Sequence, residues 1–331
     1  MPTTGPLVDG FGRVHTDLRV SITDRCNLRC VYCMPEEGLT FGPRDEVLTF
    51  EELVRVVRVA HRLGVQTVRL TGGEPLVRRG IVDFVREIAG LGVDDLALTT
   101  NAMDLARLAR PLKEAGLRRV NVSCDSLQPE RFAEIRRRGD LATVLAGMDA
   151  AEREGLGPLK VNVVLLAGVN DDEILDFARF ARETHRVVRF IEFMPLDGDE
   201  EWDETRVVPS AEVIERIDRV WPLERVPREH DVAPAERFRF RDGTGEIGVI
   251  ATVTEPFCGT CDRLRLTADG HVRNCLFSQE EVGLREAMRE GCDDAVIEAT
   301  LRRAVWDKRA GRGSDDLTLM RPRRSMSMIG G

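Results

Sequence analysis

Lysine is nearly missing from this chain of 331 residues: Lys113, Lys160 and Lys308 are the only three among 48 basic side chains, and the rest are arginine. There is one tyrosine, Tyr32. No apolar run approaches the roughly 18–20 residues that a membrane-spanning helix needs. The stretch from Met1 to Gly12 lacks the basic-then-apolar layout of a secretory signal, and no tandem repeat of solenoid spacing is present. Surplus positive charge is lacking too. A net charge of −9 excludes broad nucleic-acid binding, which depends on a basic surface that displaces counterions. The expectation is a cytoplasmic globular protein with neither membrane nor nucleic acid as partner. Its eight cysteines are then expected as reduced thiols, for which metal binding is a better use than disulfides. If the ligand is a polyanion, positive charge must be concentrated locally, so a lysine at a candidate site carries weight.

Another absence is the fourth cysteine in the run Cys26-Asn27-Leu28-Arg29-Cys30-Val31-Tyr32-Cys33. Spacings of four and three place three thiols on one tight loop. A structural zinc site is normally closed by four protein ligands, whereas three leave a position open for chemistry. Cysteine thiolates also hold iron–sulfur clusters, and three of them on a four-iron cluster leave one iron free for a ligand. A zinc loop and three unrelated core thiols are the alternatives. Cys258, Cys261 and Cys275 form a second set of three, and a hairpin over Leu264–Cys275 turning at Asp269-Gly270 can return Cys275 beside the other two. Cys124 and Cys292 are isolated and read as packing residues.

From Leu18 to Met194, strand-like and helix-like segments alternate. The strands are expected at Leu18–Thr23, Val65–Thr71, Leu96–Thr100, Arg119–Ser123, Lys160–Leu166 and Val187–Phe193. Amphipathic runs separate them, for example Phe50–Leu63, where Thr49 and Glu52 have capping-box spacing. Six βα repeats imply a parallel sheet covered by helices, either an open doubly wound sheet or a partial barrel. Strands of a parallel sheet are normally apolar on both faces. Here five carry a polar face: Arg19, Ser21 and Thr23; Arg69 and Thr71; Thr99 and Asn101; Asn121, Ser123 and Asp125; Lys160 and Asn162. Five converging polar stripes suggest a lumen that holds a large polar ligand; edge strands facing water explain one or two at most. After Met194 the pattern turns to loops, short strands and helices, including one over Pro209–Val220, while Trp221–Glu236 reads as irregular.

Thr71-Gly72-Gly73-Glu74-Pro75 directly follows a strand. Two glycines there let another molecule approach the backbone closely, although a tight βα turn is the plainer explanation. Together with the CxxxCxxC loop, however, this sequence resembles the GGEP motif of the radical S-adenosylmethionine enzymes. The resemblance then narrows. Leu18–Asp24, Val68–Pro75, Asn121-Val122-Ser123, Lys160-Val161-Asn162, Arg189–Glu192, Cys258–Cys261, Arg263-Leu264-Arg265 and the terminal Gly-Gly are similar to the GTP 3′,8-cyclase family, which opens molybdenum cofactor biosynthesis.

The resemblance implies an α/β fold, a partial TIM-type (βα)6 barrel over residues 1–195, with a C-terminal extension over 196–331 carrying a second iron–sulfur cluster. Position by position, it implies that Cys26, Cys30 and Cys33 hold one four-iron cluster and Cys258, Cys261 and Cys275 another. S-Adenosylmethionine would be lined by Tyr32, Gly73, Ser123 and Met194. GTP would be held by Arg19, Arg69, Thr99, Lys160, Arg189, Arg263, Leu264 and Arg265, with Gly330 and Gly331 catalytic. The implied partners are an external electron donor and cyclic pyranopterin monophosphate synthase, with the chain a monomer or homodimer. Two departures stand out: Ala102 where a glycine is usual, and Cys124 where an aliphatic residue is usual. A twin-cluster radical enzyme acting on a peptide is the nearer rival, and a zinc-stabilised binding protein the rival from another class.

Overall fold

Alternation of apolar and polar residues in the first two-thirds of the chain produces strands with one face for helices and one for a lumen. The computed structural model describes residues 1–38, 41–196, 202–227, 233–311, 322 and 324–330. The strands are β1 Asp17–Ser21, β2 Thr67–Thr71, β3 Asp95–Thr100, β4 Arg119–Ser123, β5 Lys160–Leu165, β6 Val187–Glu192, β7 Leu223–Val226, β8 Glu236–Phe240, β9 Glu246–Ile250, β10 Arg263–Leu266, β11 His271–Arg273 and β12 Val282–Gly283. Helices α1 Phe50–Arg62, α2 Ile81–Gly90, α3 Leu105–Glu114, α4 Pro129–Arg136, α5 Leu141–Arg153 and α6 Ile174–Thr184 fill the connections between the first six strands. Helices α7 Ser210–Asp218, α8 Arg285–Arg289, α9 Asp294–Trp306 and α10 Met326–Ile329 follow.

All twelve strands form one sheet, in the order β12-β11-β10-β1-β2-β3-β4-β5-β6-β9-β8-β7. The six expected strands are parallel neighbours in sequence order, and the C-terminal part of the chain extends them. β10 joins β1, and β9 joins β6, both in parallel, each with an antiparallel hairpin outside it. Sequence reading separated this part as an extension, yet it continues the same sheet on both flanks. The stretch read as irregular contains β7, paired antiparallel with β8 through Leu223↔Phe240. The expected hairpin forms, with Gly270 N–H donating to Thr267 O at 3.0 Å, but β11 ends at Arg273, short of Cys275.

Apolar side chains on the outer strand faces meet the helices in one core. Leu18, Val20, Val68, Leu70, Leu98, Val122, Val161, Phe190, Val249 and Leu264 all belong to it and are buried. Each such side chain contributes roughly 1.5–3 kcal/mol through its removal from water. Cys124 is fully buried in this core and Cys292 packs against it, as expected of packing residues.

The Thr49 capping box is formed. Glu52 N–H donates to Thr49 Oγ1 at 3.2 Å, and Thr49 N–H donates to Glu52 Oε2 at 2.7 Å. Replacing Thr49 by alanine is expected to loosen the first turn of α1 by about 1 kcal/mol. Native-state amide exchange should report this as several-fold faster exchange confined to that turn; unchanged exchange would show the cap to be idle.

Candidate functional site

Strands from both flanks of the sheet line one cavity of about 600 Å³. Arg19, Arg69, Thr99, Ser123 and Arg189 reach it from β1, β2, β3, β4 and β6, and Arg263 and Arg265 from β10. Because β10 and the centre of the sheet face the same space, the sheet curls around it, and the polar stripes converge in a lumen. Tyr32, Met194, Cys258, Cys261 and Cys275 line it too. Lys160 is half-buried within reach of the Arg189 charge, although it does not line the cavity. Leu264 is different: its side chain lies in the apolar core, so only its backbone is open to a ligand.

The strand register arranges the charge in rows. Arg265, Arg19, Arg69 and Ala97 are successive register partners across β10, β1, β2 and β3. Two residues earlier on the same face, the row contains Arg263, Asp17, Thr67 and Asp95. Asp17 is a poor counterion, since its Oδ1 is 3.9 Å from Arg19 Nε and both atoms are buried without hydrogen-bond partners. Arg69 Nε is likewise unpartnered. Burial, with like charges adding to it, lowers Arg19 and Arg69, Arg189 to about 9 and Arg265 to about 10, whereas Arg263 is raised because Cys261 and Asp17 outweigh its burial. Buried donors are normally satisfied, so this lumen is built for an anion with several acceptor oxygens.

At the C-terminal end of β1, the Cys26–Cys33 loop is fastened to the double glycine. Gly73 N–H donates to Thr23 O at 2.7 Å and Glu74 N–H to Arg25 O at 2.8 Å. A Cβ on Gly73 would lie 2.4 Å from Arg25 O and 2.7 Å from Asp24 O. The motif therefore has a structural reason that is independent of any ligand. Glu74 is enclosed, its carboxylate accepting from Leu76 N, Thr100 Oγ1 and Asn101 N at 2.7–2.9 Å. Asn101 Nδ2 donates to Asn27 Oδ1 at 2.7 Å. Ala102 follows in the left-handed conformation at φ +64°, so the turn that usually has glycine is kept at some strain.

Sequence reasoning missed Arg136. Its Nη1 donates to Cys30 Sγ at 3.1 Å, and its Nη2 is paired with Asp125 Oδ2 at 2.7 Å. The Tyr32 hydroxyl donates to the same Asp125 oxygen at 2.8 Å. Only the position of Asp125 on a polar stripe hinted at this network. At the other triad, Arg263 Nε and Nη2 lie 3.3 and 3.2 Å from Cys261 Sγ, with Lys308 Nζ at 3.3 Å. Burial alone would raise the Cys261 thiol, but Arg263 and Lys308 outweigh it and bring it down to about 6. Cys26, with burial dominant, is pushed up to about 12. The scarcity of lysine was the available signal for Lys308.

Among the described residues, no three Cys, His, Asp or Glu side chains converge on a single-ion position. Neither triad is thus gathered as a mononuclear site. Cationic donors directed at thiol sulfurs suit the thiolates of a larger, net anionic cluster, so both triads fit iron–sulfur groups.

The C-terminal segment reaches into the lumen. Ser327 N–H donates toward the Cys33 sulfur, Met326 lines the cavity, and Arg265 Nη1 donates to Gly330 O. A Cβ on Gly330 would lie 2.6 Å from Thr71 Oγ1, and its φ is +75°; glycine alone accepts both conditions. Gly331 lies outside the described residues.

Residues 20–181 match the family model for the radical SAM superfamily, and residues 186–313 match that for Molybdenum Cofactor Synthesis C. A GTP 3′,8-cyclase of Mycobacterium sp. (strain KMS) is 49% identical over 100% of this chain and 95% of its own length. One of Streptomyces coelicolor is 48% identical, covering 98% and 96%. The chain belongs to the GTP 3′,8-cyclase family. Solved structures share the fold at low identity. Streptococcus suis SuiB superposes with a TM-score of 0.65 over 99% of this chain and 76% of its own, at 13% identity. The enzyme anSMEcpe with bound AdoMet superposes at 0.57, covering 89% and 81%, at 15% identity. The fold is the radical SAM α/β fold with a parallel sheet, and the superfamily's cofactors are a four-iron, four-sulfur cluster and S-adenosylmethionine. Among the described residues, no helix is long and apolar enough to cross a membrane.

Replacing Gly73 by alanine should push the Thr23–Cys26 backbone away and empty the first triad while the second stays loaded. Iron content is then expected to fall to about half that of the parent protein, the outcome that one four-iron unit per triad requires. Full iron retention would show that the loop tolerates the displacement.

Proposed function

We propose that the protein is a GTP 3′,8-cyclase that joins C3′ of the GTP ribose to C8 of its guanine, the first step of molybdenum cofactor biosynthesis. The observation that carries the reading is a row of guanidinium groups, with Arg19 Nε and Arg69 Nε buried and unpartnered, in a lumen that the second cysteine triad also lines. In this reading Cys26, Cys30 and Cys33 hold one cluster, and Tyr32, Gly73, Ser123 and Met194 the S-adenosylmethionine. Cys258, Cys261 and Cys275 hold the other cluster, against the guanine. When bound, a reduced cluster with S-adenosylmethionine would supply the homolytic chemistry that removes a hydrogen atom from carbon. The chain's own residues orient. Arg19, Arg69, Lys160, Arg189, Arg263 and Arg265 grip the triphosphate, and Thr99 and the Leu264 backbone add contacts. Fixing the ribose in this way makes the hydrogen transfer effectively intramolecular. Gly330 and Gly331 are catalytic beside the substrate, and at Gly330 any side chain would clash. Functionally, residues 1–195 serve the radical source and 196–331 hold the purine. The reading also calls for an external electron donor and for cyclic pyranopterin monophosphate synthase to consume the product.

The test is anaerobic incubation of reconstituted protein with S-adenosylmethionine, reductant and GTP deuterated at C3′. Deuterium is expected in 5′-deoxyadenosine, together with 3′,8-cyclo-7,8-dihydro-GTP. Deleting Gly330 and Gly331 should preserve iron and GTP binding but stop the transfer. Cleavage of S-adenosylmethionine without any deuterium transfer in the parent protein would refute the substrate assignment.

A pH dependence follows from Lys160. Burial first, then Arg189, Arg119 and Arg69, pull its ammonium down to about 7. A bound triphosphate favours the charged form and raises that value. GTP binding is therefore expected to take up a proton at about pH 8, and affinity should fall as pH rises beyond 7. Calorimetry in buffers of different ionisation enthalpy measures the uptake. Lys160→Met should abolish it, and an absence of uptake in the parent protein would remove Lys160 from the anion site.

A further inference from the structure

Arg119 opens β4 and continues the row of arginines, because its register partner is Ala97, which in turn pairs with Arg69. Ala97 is buried and places only a methyl group between the two arginines. Asn121 stands on the same face of β4 two residues further on, paired with Thr99, which lines the cavity. By strand parity Arg119 shares the face of β4 that carries Asn121 and Ser123; of these three only Ser123 lines the cavity itself, and Arg119 stands behind it at the start of the strand. Its charge is felt by Arg69, Arg189 and Lys160.

The partners of Arg119 are uneven. Nε lies 3.0 Å from both carboxylate oxygens of Asp95, and Nη2 also donates to Asp95. Nη1 is buried and has no partner. A carboxylate that holds one edge of a planar guanidinium through two N–H groups leaves the remaining N–H groups aimed in a fixed direction. A buried donor in that state calls for an acceptor.

We propose that Arg119 is a specificity-determining residue whose Nη1 binds the terminal phosphate of a nucleoside triphosphate, with Asp95 as its positioning residue. This rests on the GTP reading above. With the purine against the second cysteine triad on the β10 side, the phosphate chain runs across the sheet. Its far end reaches β4 and β5, where Arg119 and Lys160 stand. A diphosphate is too short to use this donor, so Arg119 distinguishes GTP from GDP.

The experiment measures GTP, GDP and GMP affinities of the reconstituted protein and of Arg119→Gln by anaerobic calorimetry. Loss of a charge-assisted hydrogen bond should weaken GTP binding about tenfold or more. GDP and GMP affinities should stay within about twofold, so the preference for GTP over GDP collapses. Equal losses for GTP and GDP, or no loss for either, would overturn the proposal. Iron content and circular dichroism check that Arg119→Gln folds; if it does not, Arg119→Lys, which keeps the charge but lacks the planar fork, is read by the same ratio. A parent protein that binds no GTP defeats the function reading itself. GTP binding that is indifferent to position 119 defeats this inference alone.

Discussion

Buried positive charge without adequate counter-charge is the constraint around which this structure is organised. Arg265, Arg19 and Arg69 stand side by side on adjacent strands, with Asp17 too far from Arg19 for a hydrogen bond. Taking ions out of water costs several kcal/mol each unless partners replace the solvent. The fold tolerates this because the opposite face of the same strands lies in a continuous apolar core. The charge that the core supports is available to a polyanion, in a protein whose net charge is negative. An acidic exterior with a cationic interior directs an anion to one place.

The second constraint is a backbone contact. Gly72 and Gly73 lie under the Thr23–Arg25 segment so closely that no Cβ fits. This places the loop bearing the first cysteine triad over the C-terminal end of β2. The GGEP sequence therefore does two things at once: it locks the loop through main-chain hydrogen bonds and, in the proposed reading, presents the backbone to S-adenosylmethionine. Glu74 is committed to Leu76, Thr100 and Asn101, so its carboxylate serves the scaffold.

The six βα units, the Thr49 cap and the lumen-facing positions of Arg19, Arg69 and Thr99 are legible in local periodicity alone. That periodicity is informative because side-chain direction in a strand alternates with period two. Other features depend on contacts between distant segments. Nothing in Trp221–Glu236 announces β7, since its four residues are stabilised by pairing with β8 rather than by their own pattern. Arg136 sits at the end of α4, and its contact with Cys30 spans 106 residues of chain. The parallel docking of β9 and β10 on opposite flanks of the sheet is also a matter of topology, which spacing does not encode. Arg119 is open to the same parity argument as Asn121 and Ser123, although a charged residue at a strand's first position reads as an edge.

The two cysteine triads differ in electrostatics, and Arg263 explains why that matters. Cys261 is brought down to about 6, whereas Cys26 is pushed up to about 12. Arg263 directs Nε and Nη2 at the Cys261 sulfur while belonging to the same lumen that gathers Arg19 and Arg69. One guanidinium thus faces both a thiolate and the anion site. An anion in the lumen and a cluster on the second triad draw on the same cation, so their affinities are linked through it. Among the described residues the first triad has no cation shared in this way: Arg136 is buried and paired with Asp125, and it is Asp125 and Tyr32, not Arg136, that line the lumen. In the proposed reading, the purine end of the substrate is therefore where binding and cluster chemistry meet, while the first triad meets the lumen through the neutralised Tyr32–Asp125–Arg136 network.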